Sequence, residues 1–280
     1  MTEPTRNIDE RTVDGFGAEW SRFRQDALPD EERRRIFDAY FRGFPWHRLP
    51  AGAVGADFGC GSGRWAALVA PRVGHLHLVD ASAAALAVAR ENLAGVTNVD
   101  FIHSTVDDAP LADGSLDFAY SLGVLHHIPD TARALAHVAR RLKPGAPLLV
   151  YLYYAFDNRP AWYRALWRST DAVRRVVSRL PHGLRHASAD AIALAVYLPL
   201  ARSARALERI GHLPPSWPLA LYRDKSFYTM RTDALDRFGT RLEQRFTRAA
   251  IERMMSDAGL VDVRFSPGEP YWVAVGTRAG

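Results

Sequence analysis

Ala56-Asp57-Phe58-Gly59-Cys60-Gly61-Ser62-Gly63-Arg64-Trp65 is the stretch on which the fold turns. It ends a short apolar run, Val54 to Phe58, and opens a helical pattern from Gly63 to Ala70. Glycine admits positive φ and lets the main chain approach a ligand with no Cβ in the way. A glycine loop between a strand and a helix can cradle a small molecule at the carboxyl end of a parallel sheet, where doubly wound folds place their ligands.

Outward from this loop, strand signals recur at 75–79, 99–103, 116–122 and 147–153, with helical patterns at 82–93 and 131–142. Strands alternating with helices in this way predict a doubly wound α/β fold. After Tyr154 the alternation stops, and helical periodicity runs to about Asp224. There Trp162, Leu166, Val173, Val177 and Leu180 fall on one helical face, with Arg164, Arg168, Arg175 and Arg179 opposite. The core pattern returns as a helix at 248–258, a stop at Gly259, a strand at 260–265, a turn at Pro267 to Pro270 and a strand at 271–276. Strands joined by so short a turn must be antiparallel. Upstream, residues 1–12 are polar and read as frayed. Gly15, Phe16, Gly17, Trp20 and Phe23 then lead to a charged helix at 30–42 and an aromatic hinge at Phe44, Pro45, Trp46 and Pro50. The predicted divisions are an N-terminal helical cap (1–50), a ligand-binding core (51–154), an inserted helical lid or substrate region (155–225) and the C-terminal part of the core with its antiparallel hairpin (226–280).

At 280 residues and 48% hydrophobic content, the chain is long enough to bury a full core. Lys and Arg outnumber Asp and Glu by only 36 to 31, and Lys143 and Lys225 are the only lysines. So near a balance argues against nucleic acid as a partner. Cys60 is the single cysteine and no secretory leader pattern opens the chain, which predicts a cytoplasmic protein. The longest apolar stretch, Ala191 to Ala201, is shorter than the ~20 residues of a transmembrane helix and contains Pro199. No metal ligands are assigned, and the oligomeric state is left open.

The loop spacing separates two ligand chemistries. Nicotinamide dinucleotide sites carry G-x-G-x-x-G and seat a pyrophosphate on a helix N-terminus. Here the spacing is G-x-G-x-G, with Asp57 two residues before it. An acid there repels a diphosphate but suits a ligand with an ammonium group, such as the methionine end of S-adenosylmethionine (SAM). Asp80, closing the second strand, can accept from both hydroxyls of a ribose, or can cap the helix that starts near Ser82.

Together, Asp57-Phe-Gly-Cys-Gly-Ser-Gly63, Val79-Asp80-Ala-Ser82, Pro110-Leu-Ala-Asp-Gly-Ser-Leu-Asp117, Leu125-His-His-Ile-Pro-Asp130 and Leu142-Lys-Pro-Gly145 resemble the class I SAM-dependent methyltransferases of the type 11 group. The resemblance covers about Ala51 to Tyr153 and resumes from about Arg248. It implies a Rossmann-like seven-stranded sheet in the order 3-2-1-4-5-7-6, the last strand antiparallel. It also implies SAM contacts at Asp57, Gly59, Cys60, Gly61, Gly63, Asp80 and Ala81. Thr105 and Val106 would lie at the adenine, and Ser121 and Leu122 beside the methionine. Thr105 stands where the family often has an acid, so Asp107 or the Thr105 hydroxyl would serve the adenine instead.

The expected activity is methyl transfer to a small-molecule acceptor, with oxygen preferred over carbon or nitrogen. The alternatives are a lipid- or quinone-like or natural-product acceptor methylated on carbon or nitrogen, or a SAM-binding regulatory protein without turnover. His126 and His127 are candidate bases, an imidazole with a pKa near ~6.5 being able to deprotonate a hydroxyl; packing is the competing role. Trp20, Tyr154, Tyr222, Tyr228 and Arg231 are the candidate acceptor contacts. The arginine stripe fits a solvated face, an anion clamp or peripheral contact with an acidic membrane surface.

Overall fold

In a computed structural model, residues 6–25 and 27–280 are described. Residues 1–5 of the frayed N-terminus expected above lie outside that range. The chain forms two compact units. One comprises residues up to Arg24, Ile36–Ala155 and Leu242–Gly280; the other comprises Gln25–Arg35 and Phe156–Arg241.

The first unit is built on strands β1 (Val54–Phe58), β2 (His75–Asp80), β3 (Val99–His103), β4 (Phe118–Leu122), β5 (Pro147–Tyr151), β6 (Leu260–Phe265) and β7 (Val273–Arg278). They make a sheet in the order β3-β2-β1-β4-β5-β7-β6. β1 to β5 pair in parallel, and β7 runs antiparallel between β5 and β6. This is the expected order and hairpin. Helices α1 (Glu10–Arg22), α2 (Asp30–Phe41), α3 (Ala66–Val69), α4 (Ala83–Asn92), α5 (Thr131–Arg140) and α10 (Arg248–Asp257) accompany it.

Central strands read as nearly continuous apolar runs because both sheet faces are covered. On one face, Ala56, Phe58, Val79 and Leu148 pack with Leu135 and Val138 of α5 and with Ile251 and Met255 of α10. On the other, Leu76, Leu78, Phe118, Tyr120 and Leu149 pack with Phe37 and Phe41 of α2 and with Leu86 of α4. Short polar side chains fix where the helices begin. Ser82 accepts from Ala85 N, Asp130 from Arg133 N and Thr247 from Ala250 N, each satisfying a backbone donor of a first turn. α1 covers residues 10–12, which were expected to fray; Asp9 caps it by accepting from Thr12 N at 2.8 Å.

The second unit holds α6 (Ala161–Val177), α7 (His182–Ile192), a wider-wound turn at Ala193–Tyr197, α8 (Leu198–Arg209) and α9 (Phe227–Gly239). Val177, Ala193, Tyr197, Ala201, Met230, Ala234 and Phe238 form its core. It ends at Arg241, and α9 supplies Met230, Ala234 and Phe238 to that core. Only the Val177 edge of the apolar face that the periodicity suggested is buried on α6. Asp171, Arg174 and Val177 are buried, whereas Trp162, Leu166 and Val173 are exposed. Arg174 tolerates burial because its guanidinium donates to Asp171 and to the carbonyls of Thr240 and Arg241. No helix among the described residues is long and apolar enough to cross a membrane.

Candidate active site

The loop after β1 is held from below by β2. Gly59 N and Cys60 N both donate to the Val79 carbonyl, at 2.7 and 3.1 Å. Gly59 and Gly61 have φ of +83° and +53°, a region that costs a side chain about 1–2 kcal/mol. Space excludes a side chain as well. A Cβ on Gly59 would run into Val124, and one on Gly61 would meet the Trp20 indole at 2.9 Å.

Asp80 completes the cradle. Its Oδ2 accepts from Gly61 N at 2.9 Å and its Oδ1 from Ser82 N at 2.8 Å. One carboxylate thus ties the end of β2 to the loop and to the start of α4, and each oxygen keeps acceptor capacity for a further donor. Ser82, rather than Asp80, is the cap of α4. Burial raises the Asp80 pKa, while the two backbone donors pull it back.

Asp57, the last residue but one of β1, is 2% exposed, and its Oδ2 makes no hydrogen bond among the described residues. Burial pushes its pKa up to about 8; the nearby Tyr120 hydroxyl opposes the rise, Asp80 adds to it and Arg64 opposes it. The Tyr120 hydroxyl itself meets no partner at full hydrogen-bond geometry. Arg64 offsets little of that burial, and a ligand ammonium beside the carboxyl would supply a closer cation.

The remaining expected cofactor residues divide by whether their polar groups are already engaged. Cys60 is buried beside the loop, and Gly63 closes the loop against Leu93. The Ala81 carbonyl is 3.0 Å from His103 Nε2. Ser121 donates to the Phe58 carbonyl at 2.7 Å, tying β4 to β1, and Leu122 follows at the strand end. The Thr105 hydroxyl donates to Asp108 and accepts from its N–H, forming a local turn. Val106 is buried and Asp107 is paired with Arg133 at 2.8 Å.

His126 and His127 lie in a single turn of 3₁₀ helix after β4. His126 is fully buried and stacks on Tyr153 with ring centroids 3.9 Å apart. Neither of its ring nitrogens is hydrogen-bonded among the described residues. Burial above all, then His127 and Arg245, holds its pKa well below the usual range, so this ring stays neutral. His127 Nδ1 lies 2.7 Å from the Leu242 carbonyl, which can only accept. Nδ1 therefore carries the proton, and in the neutral ring Nε2 holds the basic lone pair.

Among the candidate acceptor contacts, Trp20 lies on the glycine loop, with Arg64 over its ring at 5.6 Å. Tyr154 bridges to Phe246 and its carbonyl accepts from Arg245. Tyr222, Tyr228 and Arg231 belong to the second unit. Tyr222 meets Tyr197, the Tyr228 hydroxyl accepts from Gln25 N, and Arg231 makes a two-pronged pair with Asp190. Phe16 of the aromatic N-terminal segment reaches the site, its ring 4.8 Å from that of His127. Val124, Tyr153 and Leu242 are new. Contact with Gly59 or with the histidines is a tertiary property, and nothing in the sequence marked it.

Residues 56–150 match the type 11 family model, described as a methyltransferase domain. This chain carries a class I methyltransferase domain. An uncharacterized methyltransferase of Mycobacterium bovis is 30% identical over 127 residues, covering 45% of this chain and 64% of that protein. A ubiquinone biosynthesis O-methyltransferase of Hahella chejuensis is 36% identical over 94 residues, 33% of this chain and 40% of that one. The chain thus spans less than two thirds of the length of the curated relatives it matches. An O-methyltransferase family protein from Burkholderia thailandensis shares the fold, with a TM-score of 0.54 over 97% of this chain and 61% of that one, at 18% identity. SAM is the cofactor of this family. The methyltransferase domain fits it: Asp80, tied to the glycine loop, offers acceptors for a ribose, and Asp57 offers a buried carboxyl oxygen for an ammonium.

Proposed function

We propose that the protein transfers the methyl group of SAM to a small-molecule acceptor, with oxygen as the preferred reacting atom. The observation that carries this reading is the buried Asp57 carboxyl, whose Oδ2 makes no hydrogen bond among the described residues, beside a glycine loop that Asp80 ties to the end of β2. When bound, the cofactor supplies an electrophilic methyl on a sulfonium. The chain's own task is to hold the acceptor in line and to exclude water, which can provide most of the acceleration. The preference for oxygen is supported by His127, whose basic nitrogen is fixed as Nε2 and can take a hydroxyl proton.

The helical unit supports a finer reading, in which the chain meets its acceptor at an acidic membrane surface. Residues 156–241 hold fifteen Lys and Arg against seven Asp and Glu, a net of +8; the whole chain is +5, so the rest carries −3. On α6, Trp162, Leu166, Val173 and Val176 are exposed at spacings that share one face, and Arg164 and Arg168 on the opposite side of the helix are exposed too.

The deciding experiment incubates purified chain with methyl-labelled SAM and fractionated extract, polar and lipid fractions separately. Label in a small molecule, released by ether-cleaving but not amide-cleaving chemistry, is the expected result. Binding of SAM with no label transferred to any fraction would favour the regulatory alternative.

A further inference from the structure

We propose that His75, His77 and Asp100 form a binding site for a divalent transition-metal ion on the β2–β3 edge of the sheet. Side chains two apart on a strand share a face, so His75 and His77 project together from β2. The parallel register sets Asp100 of β3 directly opposite His77. The result is a convergence on one oxygen: His75 Nε2 lies 3.1 Å and His77 Nδ1 2.6 Å from Asp100 Oδ1. One ligand atom from each residue falls within 4.8 Å of the others.

The fold keeps this trio accessible. β3 ends the sheet, and residues 104–117, which connect it to β4, contain no helix to cover that end. All three residues are accordingly half-buried, a setting that leaves positions for solvent on an ion. Zinc takes nitrogen and carboxylate oxygen at about 2.0–2.2 Å, which places ligand atoms roughly 3.0–3.5 Å apart. Small side-chain rotations bring the observed spacings into that range. Two imidazoles and one carboxylate suit Zn²⁺, Ni²⁺ or Cu²⁺, whereas Mg²⁺ and Ca²⁺ prefer oxygen alone.

The ion would act as a clamp. β3 is held on one side only, by β2, and an ion shared between the two strands ties the edge in place three residues before Asp80. The site lies outside the cofactor cradle and does not depend on which acceptor is methylated.

The test titrates ZnCl₂ into metal-free, tag-free full chain, by calorimetry and by thermal melting. One ion per chain with Kd of about 10 µM or tighter, and a Tm that rises with zinc, is expected. His75→Gln with His77→Gln should abolish both effects while leaving S-adenosylhomocysteine affinity unchanged. Asp100→Asn should weaken zinc about tenfold or more, and it serves if the double variant folds poorly. Copper bound to the wild type should show two nitrogen couplings in its electron spin resonance spectrum. No heat and no Tm change would overturn the site. So would zinc binding that survives the substitutions, which would place the ion on other histidines such as the His182–His186 pair of α7.

Discussion

Trp20 and Gly61 are in contact so close that the glycine has no room for a methyl group: its Cβ would meet the indole at 2.9 Å. Helix α1 is thereby seated on the cofactor loop, and Gly17, one turn earlier, lies where a Cβ would meet the Ser82 hydroxyl at 2.7 Å. Gly61→Ala should therefore weaken S-adenosylhomocysteine binding by about tenfold or more, from strain at positive φ plus displacement of Trp20. Adding Trp20→Ala relieves only the steric part, so affinity should recover in part. Calorimetry on the two variants checks this; full affinity in Gly61→Ala would show that the loop is free to move.

Asp57 makes stability depend on pH. An unfolded aspartate ionises near ~3.9, whereas burial raises this one to about 8. Between those values the folded chain holds a proton that the unfolded chain has lost. Its contribution to stability therefore falls as pH rises from about 4 to about 8, and is level above. Melting of the cofactor-free chain across that window should show a smaller loss in Asp57→Asn than in wild type. Binding of an ammonium-bearing ligand should favour the ionised carboxylate and release a proton, whereas methylthioadenosine, which lacks the amino acid, should not. Equal proton release by both ligands would remove Asp57 from the ammonium's neighbourhood.

The two adjacent histidines should respond differently to substitution. His126→Phe keeps a ring stacked on Tyr153 and removes two buried nitrogens without partners, groups that cost about 1–3 kcal/mol each when unsatisfied. Its Tm should rise or hold, with activity retained. His127→Ala loses the bond to the Leu242 carbonyl and should lower kcat by about tenfold or less, at unchanged S-adenosylhomocysteine affinity. A general base is commonly worth about 10²–10⁴, so abolished turnover would mean that proton removal limits the reaction and that positioning does not suffice.

The sheet was legible because its strands are apolar runs punctuated by glycine and acid, and because the short turn before Tyr271 forces the last pair to be antiparallel. Asp57, the glycines and Asp80 were legible for a related reason: cradle chemistry is local in sequence. Two features were hidden by tertiary context. Gly15 and Gly17 lower helix propensity, yet α1 runs through both, since close packing on α4 needs the missing side chain at Gly17. On α6, periodicity sorted residues by polarity, whereas the fold buries Arg174, with its Nε and Nη1 bonded to Asp171, Thr240 and Arg241, and leaves Trp162 53% exposed.

That inverted helix motivates the last prediction. Trp162, Leu166, Val173 and Val176 follow a 4-7-3 spacing along α6, and Val176 is 64% exposed. The single acid of this helix, Asp171, is buried, so its exposed surface carries apolar groups and arginines and no acid. A second copy of the chain would bring the same positive charge and no acid on this helix to meet it, whereas an anionic bilayer supplies both an apolar interior and a negative surface. Arginine stems can lie along the interface with their heads in water. The protein should therefore co-float with vesicles containing phosphatidylglycerol at low salt and not with pure phosphatidylcholine, and should dissociate as salt shortens the Debye length below ~10 Å. Trp162→Ser with Val176→Ser should abolish flotation, and Arg164→Glu with Arg168→Glu should weaken it more at low salt than at high. Flotation unchanged in both variants would assign the membrane contact elsewhere; concentration-dependent dimers that the serine variant dissolves would show that a second copy covers the stripe instead.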